Sequence, residues 1–145
     1  MALNQPDLED LAAQVGAALA ERGWSMASAE SCTGGWVAQA MTAVAGSSAW
    51  FDRGFVTYSN AAKIDMLGVS ADTLARFGAV SEAVVAEMAR GALTRSQAQI
   101  ACAISGIAGP TGGSDSKPVG TVCFAWSLAG GEVECVTRHV PGDRH

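Results

Sequence analysis

Apolar residues recur along this chain at two different spacings, which alternate. Over residues 7–22 they follow the i, i+3, i+4 spacing of an amphipathic helix, which ends at Gly23. Residues 24–28 and 51–59 form short apolar, aromatic or β-branched runs that predict strands. Helical spacing returns over residues 35–44 between these two runs. The first part of the chain therefore alternates helix and strand.

Short polar residues predict where the next helices begin. Asn60 is expected to cap a helix over residues 61–67, and Ser70 opens a short helix that ends at Gly78. Ser81 caps a longer helix. One apolar stripe along that helix predicts that it packs on a sheet, and the stripe consists of Val84, Val85, Met88, Ala89, Ala92 and Leu93.

The last third of the chain predicts a buried strand and a hairpin. Residues 100–105 form a continuous apolar run, typical of a central strand buried on both faces. The glycine-rich stretch 106–118 is longer than common connections, which favours a ligand loop. Residues 119–128 and 132–140 read as an antiparallel hairpin. We predict one domain over residues 1–145, a three-layer α/β/α sandwich with a mixed, mostly parallel sheet, and ligand sites at the carboxyl ends of its strands.

Composition and charge limit the classes of partner. The 145 residues are 49% hydrophobic and 16% charged, which suits one domain with a sizeable core. The net charge is -5, and the nine Lys and Arg residues form no basic run, so nucleic acid is not an expected partner. No apolar run reaches the roughly 18 residues of a membrane span, and the N-terminus lacks the basic residues of a signal peptide. We expect a cytoplasmic protein that contacts no membrane.

Residues 29–35, with the sequence AESCTGG, lie where a strand passes into a helix. Unpaired N–H groups at a helix start can hold a phosphate or an oxyanion, and glycine lets a ligand approach them. Ser31 is the candidate nucleophile of this turn. A simple capped helix entry is the competing interpretation, because Ser and Thr are ordinary N-caps.

A serine nucleophile needs a base, and the only histidines, His139 and His145, lie near the end of the chain. Lys63 is the best candidate, since a helix start and partial burial both disfavour its charged form. Tyr58, the only tyrosine, is close enough in sequence to relay or orient a proton. The competing interpretations are a lysine that reaches solvent and a tyrosine that closes a strand.

Cys32 is the alternative nucleophile, because it also neighbours the glycines at the helix start. The shortage of histidine weakens a Cys-His pair, a Ser-His-Asp triad and a histidine-based metal site alike. The other cysteines have no C-x-x-C spacing and lie in apolar runs, so we expect no disulfide and no metal; they are Cys102, Cys123 and Cys135.

Six ordered motifs together resemble the CinA C-terminal domain family. They are residues 29–35 (AESCTGG), 54–60 (GFVTYSN) with Lys63, 78–81 (GAVS), 105–110 (SGIAGP), 117–122 (KPVGTV) and 142–144 (GDR). The resemblance spans nearly the whole chain, and the most similar members are stand-alone nicotinamide-nucleotide amidases. It implies a three-layer α/β/α fold, a homodimer, no cofactor or metal, and deamidation of nicotinamide mononucleotide to nicotinate mononucleotide and ammonia in pyridine nucleotide salvage.

The resemblance also implies roles for individual residues. Ser31 matches the nucleophile, with Tyr58 and Lys63 as its helpers. The remaining matched positions would contact the substrate: Thr33, Gly34 and Gly35 at its oxyanion or phosphate, Ser105 and Gly106 opposite the nucleophile, and Arg144 at the phosphate. Members of the family continue into a C-terminal helix, whereas the sequence stops at His145, so we expect part of the sheet to be uncovered.

Two non-catalytic alternatives stay open at this point. One is a nucleotide-binding or regulatory module, since domains of this family also occur fused to others. The other is a dinucleotide-binding Rossmann domain, which requires a G-x-G-x-x-G pattern after the first strand. The stretch CTGGW at residues 32–36 lacks that pattern.

Overall fold

Five strands form one sheet in the computed structural model, which describes residues 4–141. The strands are β1 (Met26–Glu30), β2 (Phe51–Val56), β3 (Ile100–Gly106), β4 (Thr121–Leu128) and β5 (Val133–His139). Their order across the sheet is β2-β1-β3-β4-β5. Strands β2, β1 and β3 are parallel, β4 is antiparallel to β3, and β5 is antiparallel to β4. The sheet is therefore mixed, and all its strands except β4 point the same way, as predicted.

The described range also contains helices between the strands. They are α1 (Gln5–Arg22), α2 (Trp36–Thr42), α3 (Asn60–Leu67), α4 (Ala71–Phe77), α5 (Glu82–Thr94) and a 3-10 helix (Ser47–Ala49). Helix α1 begins with a reciprocal capping box between Asn4 and Asp7, and it ends at Gly23, whose φ of 66° is left-handed. Among these helices, none combines the length and the apolar character that crossing a membrane requires.

Several element boundaries differ from the predicted ones by a few residues. Strand β1 starts two residues later than expected, because the N–H of Trp24 donates to the carbonyl of Leu19 and completes the end of α1. Strand β2 stops at Val56, and the cap of α3 is Ser59 instead of Asn60. The Ser59 hydroxyl accepts a hydrogen bond from the N–H of Ala62 at 3.0 Å.

Apolar clusters lie on both faces of the sheet. Along β1, Ala27 and Ala29 face the cluster that contains α5, whereas Met26 faces the cluster that contains α1 and α2. Strand β3 alternates in the same way, with Ala101 on the first face and Ile100 on the second. Helices therefore cover both faces, which confirms the three-layer arrangement.

Helix α5 crosses the end of α3 at very short range. A Cβ atom on Gly91 of α5 would lie 2.0 Å from the carbonyl oxygen of Leu67 in α3. Only glycine permits this approach. The contact packs α3 directly against α5. Helix α3 is the helix that carries Lys63.

Part of the β4 surface on the α1 and α2 side is open to solvent. The rings of Phe124 and Trp126 stack there with centroids 6.2 Å apart. Trp126 remains 37% exposed.

Candidate active site

The parallel strands bring their carboxyl ends to one edge of the sheet. Glu30, the last residue of β1, pairs with Val56 at the end of β2 and with Ile104 near the end of β3. Ser31, Thr57 and Ser105 follow these three positions directly, so they meet at the same edge. A cavity of about 200 Å³ opens at this edge, and its walls include Ser31, Cys32, Tyr58, Lys63, Ser105 and Gly106.

Lys63 and Ser31 are in direct contact in this cavity. The Lys63 amine lies 2.9 Å from the hydroxyl oxygen of Ser31. Lys63 is only 1% exposed and Ser31 only 7%. Helix α3 begins immediately after the turn that follows β2, so the fourth residue of the helix reaches back to the end of β1.

Two backbone carbonyls also bind the Lys63 amine. Its Nζ donates to the carbonyl of Thr57 at 2.9 Å and to the carbonyl of Tyr58 at 3.1 Å. Nζ also donates to the Ser31 hydroxyl oxygen at 2.9 Å. A neutral amine has two hydrogens and one lone pair, so if both hydrogens stay on the carbonyls, the lone pair turns to Ser31 and can accept the hydroxyl proton.

The electrostatics of the cavity favour this neutral form. Burial lowers the pKa of Lys63 from its ordinary value, and the neighbouring Cys32 opposes this in part. No carboxylate among residues 4–141 lies within ion-pair distance of Lys63. An ammonium at this position would therefore be buried without a counter-charge.

Tyr58 contacts the pair through its backbone, not its hydroxyl. The carbonyl of Tyr58 accepts a hydrogen bond from Lys63 and lies 3.4 Å from the donating hydroxyl of Ser31. The aromatic side chain borders the cavity and is 59% exposed. Its hydroxyl makes no hydrogen bond within the described residues, so its role as a proton relay stays a prediction.

The turn of residues 31–35 lies beside the cavity. Some of its hydrogen-bonding groups already have partners within the protein. The Thr33 hydroxyl donates to the carboxylate of Glu30 at 2.5 Å, and the N–H of Gly34 donates to the carbonyl of Ser31 at 3.1 Å. Gly34 and Gly35 have left-handed φ values of 61° and 104°. Within residues 4–141, the backbone N–H groups of Cys32 and Thr33 donate to no backbone carbonyl.

Ser105 presents a free hydroxyl to the cavity. It is 1% exposed, lines the cavity, and has no hydrogen-bond partner in the described part of the chain. The adjacent Gly106 leaves little space, because a Cβ atom there would lie 3.0 Å from the carbonyl oxygen of Thr121 and 3.1 Å from the sulfur of Cys32. The predicted Arg144 lies outside the described residues.

The alternative nucleophile and the metal are not supported by the geometry. Burial raises the pKa of the Cys32 thiol, which disfavours the reactive thiolate. His139 lies on β5 with its Nε2 2.9 Å from the carbonyl oxygen of Val119, and it does not line the cavity. No three His, Cys, Asp or Glu side chains come together as a possible metal site within residues 4–141.

Glu30 is a buried residue of this site to which the sequence analysis assigns no role. Its side chain is 1% exposed, and its carboxylate accepts from the Thr33 hydroxyl and from two N–H groups of α2. A signal was present, since an acidic residue that directly follows an apolar strand must find donors when it is buried.

Comparisons with known proteins identify the family of the chain. The profile of the CinA C-terminal domain matches residues 8–145. Over 142 residues, the chain is 58% identical to the nicotinamide-nucleotide amidohydrolase PncC of Escherichia coli K12, covering 98% of this chain and 86% of that protein. It is 55% identical to the PncC of Enterobacter agglomerans, covering 98% and 87%.

A solved structure shares the fold as well. The competence/damage inducible protein CihA of Agrobacterium tumefaciens superposes with a TM-score of 0.92 at 50% sequence identity, covering 99% of this chain and 88% of that one. The family profile, the sequence identity and the shared fold lead to the same conclusion: the chain belongs to the CinA C-terminal domain family.

Proposed function

We propose that this protein is a nicotinamide-nucleotide amidase, which hydrolyses the carboxamide of nicotinamide mononucleotide to nicotinate mononucleotide and ammonia in pyridine nucleotide salvage. The observation that carries the proposal is the 2.9 Å contact between the buried amine of Lys63 and the hydroxyl of Ser31. The names of the 55% and 58% identical relatives support the choice of substrate.

In the acylation step, the neutral amine of Lys63 removes the Ser31 proton as the hydroxyl oxygen attacks the carboxamide carbon. The bond between this carbon and nitrogen then breaks, and the Lys63 ammonium returns the proton to the leaving nitrogen, which departs as ammonia. Ser31 is left as an ester of nicotinate mononucleotide. Tyr58 supports the proton transfer, through its carbonyl or, as the sequence predicts, through its hydroxyl.

In the deacylation step, Lys63 acts again as the base. It takes a proton from a water molecule, whose oxygen attacks the ester carbon, and the Ser31 oxygen leaves with the proton that Lys63 carries. The product is the free acid, and Ser31 and Lys63 return to their starting state. One buried amine thus serves both half-reactions.

The oxyanion needs N–H donors that no backbone carbonyl already binds. Gly34 donates to Ser31, so its N–H is not available. We assign the role to the N–H groups of Cys32 and Thr33, because the residue after a nucleophile commonly supplies such a donor. Gly35 completes the turn with the left-handed φ of 104°.

The remaining predicted residues would bind the rest of the substrate. The free hydroxyl of Ser105 can pair with the carboxamide, and Gly106 forms part of the wall of the same cavity. Arg144 is proposed to hold the phosphate, because a guanidinium suits a phosphate monoester.

Ammonia release distinguishes this function from its alternatives. We expect release from nicotinamide mononucleotide, with little from free nicotinamide or from the dinucleotide. Release from free nicotinamide alone would indicate a different amidase. Binding of the mononucleotide without any ammonia would instead support a non-catalytic nucleotide-binding module.

A further inference from the structure

Glu30 carries a buried carboxylate that no cation neutralises. Its Oε1 accepts hydrogen bonds from the Thr33 hydroxyl at 2.5 Å and from the N–H of Val37 at 2.9 Å. Its Oε2 accepts from the N–H of Ala38 at 3.0 Å. No Lys or Arg pairs with Glu30 within residues 4–141. The charge is instead satisfied by the first turn of α2, where an anion is favourable.

The backbone of Glu30 contacts the other half of the reactive pair. Its carbonyl accepts from the N–H of Thr57 at 2.7 Å and from the Thr57 hydroxyl at 3.3 Å. The carbonyl of Thr57 in turn holds the amine of Lys63 at 2.9 Å. Glu30 thus lies between the two reactive residues: Ser31 follows it in the chain, and Lys63 is reached through one residue.

Strand alternation explains why the carboxylate points toward α2. Met26, Ser28 and Glu30 share one face of β1, and Met26 packs in the cluster of α1 and α2. Ser31 therefore begins the turn with its preceding side chain tied to α2. The bond from the Thr33 hydroxyl ties the third residue of the turn to the same carboxylate.

We infer that Glu30 is a positioning residue, whose carboxylate fixes the turn of residues 31–33 so that the Ser31 hydroxyl faces Lys63. The inference rests on the proposed function for its reaction, but not for its geometry. A turn displaced by about 1 Å would separate nucleophile, base and oxyanion donors, which can cost ~10²-fold in rate. Substrate binding away from the turn would change little.

The test uses the single variants Glu30→Gln and Thr33→Val and the double variant that carries both changes. Thr33→Ser is the matched control. Glutamine keeps one acceptor oxygen but sets an amide donor against the N–H of Ala38. Valine at position 33 removes the hydroxyl donor, whereas serine retains it. Ser70→Ala, which removes the cap of α4 away from the cavity, controls for a general loss of stability.

Two rates are measured for each variant. One is kcat and KM for ammonia release from nicotinamide mononucleotide. The other is the rate at which a fluorophosphonate probe labels Ser31, where an oxygen–phosphorus bond forms and fluoride leaves. If the wild type released no ammonia from the mononucleotide, the proposed function would fail, while the labelling rate would still test Glu30.

We expect Glu30→Gln and Thr33→Val to lower both kcat and the labelling rate by ~10- to 10²-fold, with KM within about twofold. Thr33→Ser should restore most of the rate. Because both variants loosen the same turn through the same carboxylate, their losses should be less than additive in the double variant. Labelling as fast as in Ser70→Ala, or fully additive losses, would overturn the inference. If Glu30→Gln does not fold, the Thr33 pair decides alone.

Discussion

The amine of Lys63 lies 2.9 Å from the hydroxyl of Ser31, and both side chains are more than nine-tenths buried. This contact lowers the stability of the folded protein, because burying a lysine without a counter-charge disfavours its protonated form. A structural role alone gives no reason for that cost. Acid–base chemistry does, since only a neutral amine can accept the proton of the serine.

Replacing Ser31 by alanine should abolish turnover while leaving substrate binding largely intact. The change removes the nucleophile and little else, and loss of such a group typically costs at least ~10³-fold in kcat. Ammonia release and binding of the mononucleotide measure the two effects. Cys32→Ala, made in parallel, should keep most of the activity. If Ser31→Ala retained more than a tenth of the rate, Cys32 or a water would have to be the nucleophile.

The rate should rise with pH through the lowered pKa of Lys63. Burial moves this pKa below the ordinary ~10.4, and activity requires the deprotonated amine, so the rising limb must lie below that value. A kcat/KM profile measures it. Lys63→Arg keeps a charge but cannot serve as a base, and it should be as inactive as Lys63→Ala. A near-normal kcat in Lys63→Arg would show that Lys63 contributes only its charge and does not act as the base.

The stability of the protein should depend on the same lysine, and it should also rise with pH. The folded pKa of Lys63 is lowered, so between that value and ~10.4 the unfolded chain binds the extra proton. Across this window, the free energy of unfolding of the wild type should therefore rise relative to Lys63→Met, by up to about 1.4 kcal/mol for each pH increment of one. Denaturant unfolding at several pH values measures the difference, and a flat difference would contradict the lowered pKa.

Tyr58→Phe separates the two possible contributions of Tyr58. The variant keeps the carbonyl that binds Lys63 and removes only a hydroxyl on a side chain that is 59% exposed. We expect kcat to fall less than about threefold, a small effect on the scale of catalytic losses. A loss of ~10²-fold, which is typical of general acid–base groups, would instead establish the hydroxyl as a proton relay.

Arg144→Ala should weaken binding more than chemistry. If Arg144 holds the phosphate equally in the ground and transition states, KM rises and kcat changes little. Steady-state kinetics with the mononucleotide test this. A matched fall in kcat with KM unchanged would place Arg144 at the reacting carboxamide.

The position of the site could be predicted from sequence because it depends on local features. Helix starts, strand runs and glycine stops placed Ser31 after one strand and Lys63 in the helix after another, and parallel strand ends meet at one edge. The boundaries were less accurate. Trp24 belongs to the end of α1, because its N–H finds the carbonyl of Leu19 there, and periodicity does not report such a bond.

The contacts that a sequence cannot reveal here are those that depend on how each turn folds. The sequence predicts that the Tyr58 hydroxyl relays or orients a proton. In the structure, the carbonyl of Tyr58 is the group in contact with Lys63. Thr33 matched a substrate contact, yet its hydroxyl donates to Glu30. Both outcomes depend on the final direction of each turn. That direction is fixed by tertiary packing and not by residue type.

The carbonyls of Thr57 and Tyr58 follow β2, and β2 is the outermost parallel strand of the sheet. The base Lys63 is thus held by carbonyls that follow an edge strand. The nucleophile Ser31, in contrast, follows β1, which is an interior strand. Strands at a margin open more readily than central ones. Fraying of β2 would therefore separate Lys63 from Ser31 while the rest of the sheet stayed intact. On heating, activity should be lost at a lower temperature than the one at which the protein unfolds.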